Sequence, residues 1–164
     1  MTAPHLTLLT SADWHDYELL DSGDLKKLER FGDFRFIRPE PQAMWQPRLG
    51  ADAWAADGIF RPDKNESENN ESGGWHLSKN LPDSWQIQYQ KLRFLARPTP
   101  FRHLGFFPEQ AAHWNWCAEK MQQFQQRHNR RPRILNLFAY SGLASLHAAA
   151  AGAEVTHVDA SKKA

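Results

Sequence analysis

Two spacings of apolar side chains divide the chain. Over residues 85 to 96 the period is two: Trp85, Ile87 and Tyr89 alternate with Gln86, Gln88 and Gln90, then Leu92, Phe94 and Ala96 follow against basic partners. Such alternation predicts half-buried β structure, either two strands with a hairpin near Gln90 and Lys91 or one bent strand. Beyond residue 108 the spacing lengthens to three and four, through Trp114, Cys117, Met121 and Phe124, and predicts an amphipathic helix. Pro108 suits its first position, Glu109 suits its positive dipole end, and the helix should stop near Asn129, before Pro132. On this spacing Cys117 falls on the packed face, where a thiol is expected to be buried and inert.

A strand over Arg133 to Phe138 comes next, then a turn at Ala139 to Gly142, an alanine-rich helix to about Ala151, a C-cap at Gly152 and a strand over Glu154 to Asp159. Strand, helix and strand with such short connections read as a βαβ unit with a parallel pair. Upstream, residues 1 to 62 hold short apolar stretches punctuated by Asp, Gly and Pro. A turn is expected at Asp21-Ser22-Gly23 and a strand over FGDFRFIRP ending at Pro39, with Trp45 and Trp54 packing this small β-rich region. Residues 63 to 74 carry no apolar side chain over DKNESENNES and cannot offset their own ordering entropy, so a mobile loop is expected there. The glycosylation-like triplets at Asn65 and Asn70 are read as part of that polar loop.

Composition narrows the class. The chain has 164 residues, 41% of them apolar and 12% aromatic, enough for a packed core. Its formal net charge is +1, so any polyanion-binding surface has to be a local patch. Three basic stretches interleave cations with aromatics or prolines: KKLERFGDFRFIR, KLRFLARPTPFRH and RHNRRPR. A single cysteine excludes an intrachain disulfide and a multi-cysteine zinc site. No run of about 18 apolar residues is present and the start lacks a secretory pattern, so no membrane partner and a cytoplasmic location are expected. His103, His113, His147 and His157 have no partner at metal-ligand spacing and are read as surface or core residues.

The turn at residues 139 to 142, with the strand end before it, carries the candidate chemistry. A pyrophosphate needs several backbone N–H groups approached closely, and glycine-rich turns provide this. FAYSGLAS has one glycine, Gly142, which argues against a dinucleotide. S-adenosylmethionine has no phosphate. One glycine for close approach, aromatics for the sulfonium cation and a carboxylate for the ribose hydroxyls would suffice. Asp159 stands at the end of the second strand, 17 residues after Gly142.

LNLFAYSGLASLHAAAAGAEVTHVDAS resembles the first cofactor motif of the class I S-adenosylmethionine-dependent methyltransferases, specifically the group related to bacterial 23S ribosomal RNA large-subunit methyltransferases. In that group an LNLFAYTG loop leads into an alanine-rich helix and a VTHVDAS or VTNVDSS segment ends the next strand. GFFPEQ, residues 105 to 110, is similar to the group's GFFLDQR, and the matches run over roughly residues 85 to 164. YELLDSGDLKKLERFGDFRFIRP also resembles the leading region of a bacterial subgroup of these methyltransferases. The resemblance implies an α/β fold: the start of a Rossmann-like methyltransferase domain at residues 105–164, incomplete, preceded by a β-rich region at 1–104. It also implies that Asn136, Phe138, Ala139, Tyr140 and Gly142 wrap the methionine part of S-adenosylmethionine, that Asp159 holds the ribose and that Gln110 approaches from the helix start. Ser141 stands where threonine is commoner, Glu109 where aspartate is usual, Pro108 where an apolar residue is usual and Ala111 where the group has arginine.

The implied function is methyl transfer from S-adenosylmethionine, acting on RNA. The Asp-Pro-Pro motif that positions the methyl acceptor in the group does not occur here, so the chain is expected to be a C-terminally truncated fragment, inactive by itself, whose catalytic residues lie beyond Ala164. Two other classes are compatible with the same pattern: a NAD-dependent oxidoreductase, and a non-catalytic RNA-binding or interaction module built on a degenerate cofactor fold.

Overall fold

In the computed structural model, residues 8–10, 14–63 and 73–161 are described, and they divide into a unit of Trp14–Phe106 and another that joins the residues before Trp14 with those from Phe107 onward. The Trp14–Phe106 unit contains β1 (Tyr17–Gly23), β2 (Lys26–Phe31), β3 (Phe34–Pro39), β4 (Gly58–Pro62) and β5 (Gly73–Leu77) in one sheet of that spatial order. The β3–β4 pair is parallel and the other pairs are antiparallel. A separate hairpin joins β6 (Trp85–Tyr89) to β7 (Leu92–Ala96) through Gln90, at φ 51°. Its alternation is the one read from the sequence: Trp85, Ile87 and Tyr89 are buried and the intervening glutamines are exposed.

The β1–β2 connection differs from the expected turn. Asp21, Ser22 and Gly23 lie within β1, and the turn is Asp24-Leu25, both at positive φ (48° and 62°). A two-residue hairpin loop needs left-handed backbone at both positions to match strand twist. Here the loop at 43–45 holds it, since Asp24 N–H donates to the Trp45 carbonyl at 2.8 Å and Leu25 N–H to the Ala43 carbonyl at 2.9 Å. FGDFRFIRP is likewise not one strand: Gly32-Asp33 turns the chain between β2 and β3, with Phe31 paired to Phe34. The core of this unit is aromatic. Phe36 stacks on Trp85 with centroids 5.4 Å apart, and Trp14, Phe31 and Phe106 are also buried. Trp45 does not join it; it is 58% exposed. A buried ion pair completes the interior, Arg38 Nε donating to Glu29 Oε2 at 2.6 Å while Tyr17 donates to Glu29 Oε1 at 2.9 Å. Most of the loop expected at 63–74, with both glycosylation-like triplets, lies outside the described residues; Gly73 and Gly74 open β5.

From Phe107 onward, the other unit starts with a 3₁₀ turn, Pro108–Gln110, which leads into α1 (Ala111–His128). Asn129, left-handed at φ 48°, caps α1 by donating its N–H to the Gln125 carbonyl at 2.8 Å, close to where the pattern ends the helix. Trp114 and Met121 are buried as the spacing predicts, but Cys117 is exposed, on the edge of a groove rather than under a packed layer. β8 (Arg133–Leu137), α2 (Leu143–Ala150) and β9 (Glu154–Val158) follow, and β8 pairs with β9 in parallel. Leu135, Leu137 and Val158 share one face of this pair and are exposed among the described residues, while α2 packs against the strands from the other side. The result is a mixed α/β architecture. No helix among the described residues is long and apolar enough to cross a membrane.

Candidate functional site

The chain leaves β8 through a turn with unusual backbone. Phe138, Tyr140 and Gly142 have φ of 55°, 49° and 86°, so three positions in five are left-handed and two of them bear aromatic side chains. Left-handed backbone costs a non-glycine residue roughly 1–2 kcal/mol, so something must over-determine it. Three hydrogen bonds do this. Ala139 N–H donates to the Val158 carbonyl at 3.1 Å, Gly142 N–H to the Ala139 carbonyl at 3.0 Å, and Tyr140 N–H to Asp159 Oδ2 at 2.6 Å. Strained backbone held in this way concentrates at functional sites.

Asp159 therefore joins the tips of the two strands. Its second oxygen, Oδ1, accepts the Ser161 N–H at 2.7 Å. The Ser161 N–H first, then the Tyr140 N–H, hold this carboxyl below its usual value of 3.8, with His157 acting in the same direction and burial opposing them. It is ionised at neutral pH. Each oxygen accepts one backbone N–H, and a carboxylate has about four lone-pair sites, so acceptor capacity remains for a ligand hydroxyl.

Gly142 is required on two counts. Its φ of 86° disfavours any side chain, and a Cβ there would lie 3.3 Å from His157 Cε1. His157 is itself fixed, with Nδ1 at 3.0 Å from Ser145 Oγ, and that hydroxyl accepts the Asn136 Nδ2 proton at 2.9 Å. An amide nitrogen only donates, so Ser145 Oγ is the acceptor in its bond with Asn136, while the direction of its bond with His157 follows the imidazole tautomer. The Asn136–Ser145–His157 chain thus ties β8, α2 and β9 together directly beneath the turn.

The expected site residues fall into two groups. Phe138, Ala139, Tyr140, Gly142 and Asp159 gather at the strand tips, with Phe138 91% exposed, Ala139 buried and the Tyr140 ring 5.6 Å from Phe107. Gln110 and Asn136 line a different feature, a groove of about 590 Å³ between α1, β8 and α2 that also takes in Trp116 and Cys117. Gln110 Oε1 lies 3.2 Å from His113 Nδ1 at its mouth. His147, on the inner side of α2, is buried beside Trp114, and burial lowers its pKa, so it is a neutral core residue. No cluster of three potential metal ligands occurs among the described residues.

Sequence reasoning missed Phe107, Ser145 and His157. The available signal for the last two was positional: Ser145 is the one hydroxyl in LASLHAAA, three residues after Gly142, and His157 shares a strand face with Asp159.

Neither a protein-family model nor a curated protein matches the chain. Solved structures that share its fold include methyltransferases, two of them described as S-adenosylmethionine-dependent. The one from Agrobacterium tumefaciens is 45% identical, with a TM-score of 0.84 over 98% of this chain and 49% of its own. The chain thus spans about half the length of that relative. A Streptococcus mutans protein assigned as a methyltransferase of this kind is 16% identical, and an assigned methyltransferase solved in complex with SAH is 17% identical. Both have TM-scores of 0.61 over 90% of this chain and 39% of their own, and at such identity the likeness is one of fold alone.

Proposed function

We propose that the chain carries the cofactor half-site of a class I S-adenosylmethionine-dependent methyltransferase, built on the start of a Rossmann-like sheet. The full activity in this reading is methylation of RNA in the cytoplasm, within the group related to bacterial 23S ribosomal RNA large-subunit methyltransferases. The observation that carries it is Asp159, an ionised carboxylate at the tip of β9 that closes onto Tyr140 N–H of a one-glycine turn. The 45% identity to the Agrobacterium tumefaciens methyltransferase supports the same reading.

The residues present fit such a cofactor. When bound, S-adenosylmethionine supplies an electrophilic methyl group on a sulfonium, set for in-line displacement. The remaining lone pairs of Asp159 suit the two ribose hydroxyls, and the left-handed turn brings Phe138, Ala139, Tyr140 and Gly142 to the face where the amino-acid tail would lie. The exposed Phe138 ring and the Tyr140 ring offer π faces to a cation. Asn136 uses its N–H on Ser145, so it offers its carbonyl oxygen or serves by supporting the turn. Gln110 would reach the cofactor from the start of α1. Groups that position the methyl acceptor belong, in this reading, to the half of the relative that the chain does not match.

Calorimetric titration of the chain with S-adenosylhomocysteine tests this. Heat is expected from the wild type, with Asp159→Asn about 10- to 100-fold weaker because a charged acceptor becomes neutral. No heat from a chain that circular dichroism shows to be folded, or an unchanged affinity in both Asp159→Asn and Asp159→Ala, would overturn it. A matching response to NADH would move the assignment to the oxidoreductase class. Salt-sensitive RNA retention without any cofactor heat would move it to a non-catalytic module.

A further inference from the structure

A second built surface lies in the Trp14–Phe106 unit. Trp45 is 58% exposed, yet its ring does not swing freely: Nε1 donates to the Ser22 carbonyl at 2.9 Å and lies 3.2 Å from Ser22 Oγ. The loop that carries it is fastened by one carboxylate. Asp21, itself buried, accepts N–H groups from Leu49 at 2.8 Å, Ser22 at 2.9 Å, Trp54 Nε1 at 3.1 Å and Arg48 at 3.3 Å. Asp21 follows a bulge in β1, where the register shifts between Leu19 and Asp21. Bulges re-aim side chains and are over-represented beside functional sites.

Around the fixed indole the surface is cleft and cationic. A hollow of about 270 Å³ sits between Trp45, Leu19 and Arg48. A larger one, about 730 Å³, carries Trp54, Lys26 and Arg61, and the two share Gln46. Lys26, Arg48 and Arg61 have no acid partner among the described residues, whereas nearby Lys27 and Arg30 are engaged by Glu40 and Glu18. Two acids line these hollows as well, the exposed Asp24 and the buried Asp21, so the cations outnumber the carboxylates three to two. Two tethered indoles and three cations, set on two hollows that share Gln46, match the way single-stranded nucleic acid is held: bases stack on aromatic faces while phosphates meet the cations. A ring whose N–H is already anchored loses little freedom on stacking.

We propose that this track is a binding site for single-stranded RNA, with Trp45 as a stacking platform, Arg48 and Lys26 as phosphate contacts and Gln46 positioned at the edge of a stacked base. The inference deepens the RNA reading of the previous subsection but rests on residues independent of the cofactor turn. It also differs from the sequence expectation, which placed Trp45 in the core.

Fluorescence anisotropy of the full chain with a labelled 12-nucleotide single-stranded RNA, at 50 and 200 mM salt, tests it. Binding is expected to weaken about 10- to 100-fold in Trp45→Ala, the range that loss of one base–aromatic stack spans, and to be largely kept in Trp45→Phe. Arg48→Gln, at an exposed side chain, should lower the slope of log affinity against log salt by about 0.7, and Asp24→Asn should tighten binding. Absence of RNA binding at 50 mM salt overturns the proposal, as does wild-type affinity in folded Trp45→Ala. Should Trp45→Ala unfold by circular dichroism, Arg48→Gln decides by the same slope. A concentration-dependent dimer that Trp45→Ala abolishes would assign the surface to self-association instead and overturn the RNA site. Titration with S-adenosylhomocysteine on the same variants should be unchanged, so a failed cofactor reading and a failed RNA surface give different results.

Discussion

Replacing Gly142 with alanine isolates the physics of the turn. At φ 86° an alanine costs roughly 1–2 kcal/mol. Its Cβ would also lie 3.3 Å from His157 Cε1, so the imidazole must give by a few tenths of an ångström and lengthen its 3.0 Å contact with Ser145 Oγ. A hydrogen bond of that kind is worth about 0.5–1.5 kcal/mol net. Against these stands a gain of about 0.4–1 kcal/mol from the lower entropy of the unfolded alanine chain. The net is a loss of about 1–2 kcal/mol. Gly50 is the internal control: its backbone is at φ −66° and ψ 163°, open to any residue, and a Cβ there meets nothing within 4 Å. Only the entropic gain remains, so Gly50→Ala should be neutral or slightly stabilising. The assay is amide hydrogen exchange at Leu146, whose N–H donates to the Gly142 carbonyl at 2.9 Å, read beside a calorimetric scan. Gly142→Ala should speed that exchange about 5- to 30-fold. Unchanged protection at Leu146, or the same sign for both variants, would refute the claim that the turn needs left-handed backbone at this position.

Three further outcomes follow from the same geometry. Phe138→Ala removes a ring that is 91% exposed, so the melting temperature should hold within about 2 °C while affinity for S-adenosylhomocysteine falls about tenfold in titration calorimetry. Arg38→Ala leaves Glu29, only 1% exposed, without its 2.6 Å guanidinium partner and should cost about 3–5 kcal/mol in urea unfolding followed by tryptophan fluorescence, whereas replacing both residues with leucine should cost much less. Asp159 is held below its usual value of 3.8 in the folded state, so its contribution is present above that value and is lost as pH falls through the lower folded value. Urea midpoints measured from pH 6 to pH 2 should fall more steeply over the acid limb in the wild type than in Asp159→Asn.

Local pattern determined the elements whose signal is carried by neighbours along the chain. The period of two in WQIQY, the helix from Ala111 to His128 with its cap at Asn129 and the strand, helix and strand that follow all rest on side-chain periodicity and on capping within a few residues. The coincidence of one glycine and one strand-tip acid was likewise legible, because both positions are set by distance along the chain.

Contacts across the fold decided the rest. Trp45 has the side chain of a core residue, but its loop is pinned by Asp21 on β1, and an indole tied by its N–H at a bulged edge remains at the surface. Cys117 shares the helical spacing of Trp114 and Met121, yet burial requires a neighbour to pack against, and at that point α1 borders a groove. Ser145 and His157 look unremarkable along the chain, since each acquires its role only when parallel pairing sets Asn136 opposite His157 and α2 lays its hydroxyl between them. Periodicity and capping are properties of adjacent residues and were therefore determined by sequence alone. Which apolar side chain is covered, and which polar groups share a proton, depends on segments far apart in sequence, and only the tertiary structure decided it.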